Sequence, residues 1–131
     1  MEQKQKKQNK ANSSFNILLI DDDEDILFIF TTILKGEGYN ASSFSNPFKA
    51  LDHFSQMTPY YFDLIIMDIR INGIKLYSKT KVINPDIKVL FISALDVRNE
   101  LLSLFPNLIT NEILKPVGPA TLSSKIKTLL L

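Results

Sequence analysis

Short runs of apolar residues, separated by longer stretches with helical periodicity, constrain the fold more than any other feature of this sequence. The predicted strands are residues 15–20, a weaker 40–44, 62–67, 87–92 and 111–114. Short runs that are apolar on both faces are typical of strands in a parallel sheet covered on both sides. None of them approaches the roughly 20 residues that a membrane-spanning helix needs.

Helical patterns fill the intervals between and after these strands. The predicted helices are residues 25–35, 47–57 with Asn46 as N-cap, 73–84, 97–105 and 118–130. In the first and last helices, the residues at helical spacing that we expect to face the core are Ile26, Ile29, Phe30, Ile33 and Leu34, and Leu122, Ile126 and Leu129 or Leu130. The alternation of strands and helices predicts an α/β fold with a doubly wound, five-stranded parallel sheet.

Composition limits the remaining possibilities. A chain of 131 residues with 45% hydrophobic content fits one domain, and the absence of cysteine excludes disulfides and thiolate metal sites. Residues 1–14 carry four lysines against Glu2, a charge of +3 that leaves −2 for the rest of the chain. We expect this segment to be a disordered, solvated tail, and we expect a cytoplasmic protein with no membrane partner. Nucleic-acid binding is disfavoured because the tail has neither arginine nor aromatic residues.

Polar residues follow four of the predicted strands, at the edge where ligands of such sheets bind. They are the acidic run Asp21 to Asp25, then Asp68, then Ser93, then Lys115 followed by Pro116. Converging carboxylates repel one another unless a hard cation joins them, and Mg²⁺ prefers oxygen ligands. A lysine and a hydroxyl beside them suggest an anionic bound group, which favours phosphoryl transfer.

The sequence resembles the receiver domains of two-component response regulators from residue 15 to residue 131. The stretches ILLIDDDEDIL, DLIIMDIR, VLFISALD and ILKPV are similar to the acidic-pair, phosphoacceptor, Ser/Thr and Lys-Pro motifs of that family. The resemblance implies a flavodoxin-like (βα)₅ fold with strand order 2-1-3-4-5, similar to that of the stand-alone chemotaxis regulators.

The resemblance also implies roles for individual residues. Asp68 would be the phosphoacceptor. Mg²⁺ would be bound directly by Asp22 and Asp68, mainly through water by Asp21, and by the backbone carbonyl of Arg70. Ser93 would hydrogen-bond the phosphoryl group, and Lys115, preceding a cis peptide bond to Pro116, would pair with it.

The same resemblance implies partners rather than a classical enzyme activity. A sensor histidine kinase or phosphotransfer protein would donate the phosphoryl group. The domain itself would catalyse only that transfer and its own dephosphorylation. We also expect that no output domain follows Leu131 and that the domain regulates a separate output protein.

Two features depart from the family pattern. Asp68 is followed by Ile69, Arg70, Ile71 and then Asn72-Gly73, which is three residues shorter than the usual segment and lacks its proline. Glu112, three residues before Lys115, replaces the aromatic residue that commonly reports phosphorylation. Both departures keep open a pseudo-receiver, which is an interaction module that works without phosphorylation.

Other interpretations are weaker. The acidic run could simply stabilise the first turn of a helix, and Lys115 could be an ordinary surface lysine. A calcium-binding EF-hand is excluded because the sixth and twelfth positions from Asp21 are Ile26 and Thr32. A phosphatase of the haloacid dehalogenase type is disfavoured because Glu24 and Asp25 follow Asp23 and because the chain is short. His53 is expected at the surface.

Overall fold

The computed structural model describes residues 15–68, 73–93, 99, 103, 112–114 and 118–130. Five strands form one sheet in the order β2-β1-β3-β4-β5. Their bounds are β1 Asn16–Ile20, β2 Asn40–Phe44, β3 Leu64–Asp68, β4 Lys88–Ser93 and β5 Glu112–Leu114. All four neighbouring pairs are parallel. The predicted flavodoxin-like sheet and its strand order are therefore confirmed.

The burial of the strands follows their position in the sheet. Every residue of the central strands β1 and β3 is buried, and apart from Asn16 and Asp68 every one is apolar. The edge strand β2 reads Asn-Ala-Ser-Ser-Phe and is partly exposed along its length. This difference is why β2 gave the weakest signal among the predicted strands.

Four described helices cover the sheet. Their bounds are α1 Glu24–Gly36, α2 Pro47–Gln56, α3 Gly73–Ile83 and α4 Pro119–Leu130. Asn46 caps α2 as predicted, because its side chain accepts hydrogen bonds from the backbone N–H groups of Phe48 and Lys49. The helix predicted at residues 97–105 lies mostly outside the described residues. None of the described helices has both the length and the apolar character needed to cross a membrane.

The sheet separates two layers of hydrophobic core. On one face, α1 and α4 pack against alternate strand residues such as Ile17, Leu19 and Ile66. On the other face, α2 and α3 pack against the intervening residues, such as Leu18 and Ile65. The two-residue alternation of β structure therefore assigns each strand residue to one layer.

The prediction of which α1 residues face the core was wrong at one position. Ile29 was expected in the core but is 52% exposed, whereas Leu27 is buried together with Phe30 and Leu34. The helix is apolar from Ile26 to Phe30, so periodicity alone leaves the choice of face ambiguous, and packing against α4 and the sheet resolves it. His53 also differs from its prediction: it is half-buried, with its ring 5.2 Å from that of Phe44.

Candidate functional site

Asp21 is held at the carboxyl edge of the sheet by backbone and side-chain hydrogen bonds. It follows the last residue of β1, and its N–H donates to the carbonyl of Phe44 at the end of β2, at 3.2 Å. Its Oδ1 accepts a hydrogen bond of 2.9 Å from the backbone N–H of Asp23. The side chain is 2% exposed. Asp21 therefore has one defined orientation in the turn that leads to α1.

Asp23 fixes the other end of this turn. Its Oδ1 accepts hydrogen bonds from the backbone N–H groups of Asp25 at 2.9 Å and Ile26 at 3.3 Å, so Asp23 is the N-cap of α1. Such a cap satisfies backbone donors that have no partner within the helix. Asp22, between the two anchored residues, has an exposed side chain.

Asp68 is the last residue of β3, whereas the sequence placed it just beyond the strand. It is 1% exposed and pairs in register with Ile92 of the neighbouring β4. On the other side of β3, Met67 pairs with Ile20, the residue before Asp21. The order of the strands thus brings Asp21 and Asp68 to adjacent positions at one edge.

The carboxylates of Asp21, Asp22 and Asp68 form a cluster in which one ligand oxygen from each lies within 4.8 Å of the others. Two of these residues are buried and Asp22 is exposed. Three negative charges at such separations repel one another, and a divalent cation would offset this repulsion. An all-oxygen donor set that is open to solvent on one side suits Mg²⁺, which binds few carboxylates and retains water. The residues present therefore fit a metal ion of this kind.

The remaining predicted site residues are only partly within the described chain. Ser93 is the last residue of β4, and its backbone lies at the same edge of the sheet as Asp68. The side chain of Ser93, the carbonyl of Arg70, Lys115 and the Lys115–Pro116 peptide bond lie outside the described residues. Their roles stay predictions.

Comparison with known proteins identifies the family of this chain. Residues 17–127 match the model of the response regulator receiver domain. The chain belongs to this family. It is a receiver domain of the kind found in two-component response regulators, a family in which magnesium binding is typical.

Two curated relatives of this chain, a transcriptional regulatory protein and a phosphotransferase, differ in length. The transcriptional regulatory protein CssR of Bacillus subtilis is 32% identical over 123 residues, which cover 89% of this chain and 52% of CssR. Sporulation initiation phosphotransferase F of the same organism is 31% identical over 81 residues, covering 60% of this chain and 63% of that protein. The receiver domain thus spans about half the length of the first of these relatives.

Solved structures agree with the fold. A CheY-like response regulator receiver domain protein from Methanospirillum hungatei has a TM-score of 0.76 and 29% identity, covering 88% of this chain and 93% of that one. A receiver domain protein from Clostridium thermocellum has the same TM-score at 24% identity, covering 88% of this chain and 94% of that one, a likeness that concerns the fold alone.

Sequence reasoning missed two contributions to the site. Asp23 was treated only as part of an acidic first turn, yet it caps α1 and also donates its N–H to Asp21. An aspartate just before an apolar helix is a recognisable N-cap signal that could have identified it. The carbonyl of Phe44 had no such signal, because it comes from a different strand.

Proposed function

We propose that this receiver domain takes up a phosphoryl group on Asp68 beside a bound Mg²⁺ and thereby regulates a separate protein. The observation that carries the proposal is the cluster of Asp21, Asp22 and Asp68, with carboxylate oxygens within 4.8 Å of one another. It lies at the carboxyl edge of a doubly wound sheet, where such folds bind ligands.

The roles we propose for the site residues follow from their chemistry. Mg²⁺ would be held by Asp68, Asp22, the carbonyl of Arg70 and, through water, Asp21, and would supply positive charge toward the phosphoryl oxygens. A carboxylate oxygen of Asp68 attacks the phosphorus of a phosphohistidine donor. A new O–P bond forms as the N–P bond breaks, and the released imidazole takes up a proton. Ser93 and Lys115 interact with the transferred group.

The surface beside the cluster supports a protein as the phosphodonor. Phe28 and Ile29 are 74% and 52% exposed on α1, the helix that begins immediately after the acidic turn. Adjacent exposed apolar side chains are suited to burial against another protein. A histidine kinase or phosphotransfer protein that covers them would bring its phosphohistidine close to Asp68. The regulated output protein is then a further partner.

Labelling with a small phosphodonor tests the proposal. Incubation with acetyl phosphate and Mg²⁺ should add one phosphoryl group to the intact protein, as measured by mass spectrometry, and chelation of Mg²⁺ should abolish the addition. Asp68→Asn should abolish it as well. Asp86→Asn is the matched control, because Asp86 precedes β4 and lies toward the opposite edge of the sheet. Unchanged labelling of Asp68→Asn would refute the assignment.

A pseudo-receiver is the second candidate, favoured by the shortened segment after Asp68 and by Glu112 in place of an aromatic residue. In that case the domain binds its partner without phosphorylation. Absence of labelling by acetyl phosphate, together with no Mg²⁺-dependent binding of beryllofluoride, would favour this alternative over the phosphoacceptor function.

A further inference from the structure

A shallow apolar groove lies between α2 and α3, outside the acidic cluster. It is lined by Pro47, Phe48, Leu51, Lys75, Leu76 and Lys79. Its volume is about 240 Å³ even when the space open to solvent is included, which is below the roughly 300–1,000 Å³ of typical small-molecule pockets. Phe48 at its rim is 60% exposed. An open groove of this size suits one or two apolar side chains of another protein better than a metabolite.

The helix N-termini beside the groove carry positive rather than negative side chains. Neither α2 nor α3 has an acidic residue in its first turn, and each has a lysine as its third residue, Lys49 and Lys75. Helix N-termini favour negative side chains, as α1 illustrates with Glu24 and Asp25. The two helix ends and their lysines therefore create a positive potential beside the apolar surface.

Lys75 and Lys79 add to this effect. They are four residues apart on α3, so they lie on one face, where like charges destabilise a helix. Both side chains are exposed, and within the described part of the chain neither forms an ion pair with a carboxylate. Asp52, one turn beyond Phe48 on α2, does not line the groove. An acidic ligand would relieve the repulsion between these lysines.

We propose that the α2–α3 groove is a docking site for an amphipathic segment of a partner protein that carries apolar anchors flanked by acidic side chains. Apolar residues at helical spacing would fill the groove around Phe48 and Leu51, and flanking carboxylates would pair with Lys75 and Lys79. A second copy of the chain is a poor occupant, because a symmetric contact would bring lysines against lysines. Residues 1–14, with a charge of +3, would also be repelled.

Two synthetic helical peptides test this proposal. Both have leucines at positions i, i+3 and i+7, one with glutamates and the other with lysines at the flanking positions. Each is titrated into the ¹⁵N-labelled full chain, without phosphodonor or Mg²⁺, so that failure of this test leaves the phosphoacceptor proposal unaffected. The glutamate peptide should shift amide signals of α2 and α3 around the groove, with micromolar to millimolar affinity that weakens as salt is added. The lysine peptide should bind much more weakly.

Variants of exposed residues separate the apolar and the charged contributions. Phe48→Ala should weaken binding of the glutamate peptide by about tenfold or more, the loss expected for one buried phenylalanine side chain. The double variant K75E/K79E should reverse the preference toward the lysine peptide. Val82→Ala is the matched control, since Val82 is 83% exposed on α3 but does not line the groove. Circular dichroism verifies that each variant is folded.

Three results would overturn the proposal. One is equal binding of the glutamate and lysine peptides, or no binding of either at millimolar concentration. Another is a set of amide shifts confined to helices other than α2 and α3. The third is self-association of the free protein in sedimentation experiments that Phe48→Ala abolishes, because the groove would then serve a second copy of the chain.

Discussion

Two neighbouring aspartates, Asp22 and Asp23, should respond differently to alanine substitution: only Asp23→Ala should lower the stability of the metal-free domain. Asp23 accepts two hydrogen bonds from backbone N–H groups at the start of α1, at 2.9 and 3.3 Å. Losing such a cap costs about 1 kcal/mol, within a range of roughly 0.5–2 kcal/mol. For a domain of this size, that corresponds to a decrease in the melting temperature of about 4 °C.

Asp22→Ala removes a charge rather than a structural contact. Its carboxylate lies within 4.8 Å of those of Asp21 and Asp68. At that distance, Coulomb repulsion between two unit charges is roughly 0.9 kcal/mol for each pair with the dielectric constant of water, which is the appropriate limit for an exposed side chain. Without metal, the free energy of unfolding of Asp22→Ala should therefore equal that of the wild type or exceed it by up to about 1.7 kcal/mol, the sum over the two pairs.

Thermal unfolding in a chelator, repeated with Mg²⁺, measures both effects. A bound ligand stabilises the folded state in proportion to the logarithm of its concentration over its dissociation constant. The wild type should gain stability with Mg²⁺, Asp23→Ala should retain most of that gain, and Asp22→Ala should lose most of it. A lower melting temperature for metal-free Asp22→Ala, or an unchanged one for Asp23→Ala, would refute this reasoning.

Three further predictions concern the loop after Asp68, the last strand and a buried tyrosine. Inserting three residues including a proline between Ile71 and Asn72 should change the rate of phosphorylation or dephosphorylation while the melting temperature stays the same; unchanged kinetics would show that the short segment is neutral. Glu112 should not become buried on activation, because an unpaired buried carboxylate costs several kcal/mol; structures with and without beryllofluoride would test this, and a Glu112 buried only in the activated state would contradict it. Burial, and secondarily the charge of Glu37, raises the pKa of Tyr39 above 10.0 in the folded state. Folding therefore favours the neutral phenol, and its contribution to stability should be lost as pH rises above about 10 and through the folded-state pKa. In Tyr39→Phe, this part of the decrease in the free energy of unfolding at alkaline pH, measured by urea unfolding, should disappear. An unchanged dependence of that free energy on pH would exclude Tyr39 as its source.

The sequence by itself determined the class of fold and the edge of the sheet that carries the acidic cluster. Continuous apolar runs such as Leu64 to Met67 are typical of strands buried on both faces of a covered parallel sheet. Because the carboxyl ends of parallel strands share one edge, the aspartates that end or follow β1 and β3 had to lie near one another if those strands are neighbours. Local signals also defined helix starts, as with Asn46 and Pro47.

The sequence also predicted the buried stripe of α4, Leu122, Ile126 and Leu130. Only the tertiary structure decided which face of α1 is buried and which helices are neighbours. In α1, Leu27 rather than Ile29 enters the core because the positions of α4 and the sheet select one face of a nearly continuous apolar stretch. The groove between Phe48 and Leu76 joins segments that are far apart in the chain. It exists because the strand order 2-1-3-4-5 places α2 and α3 together on one face of the sheet, and that order depends on long-range pairing which local residue patterns do not encode.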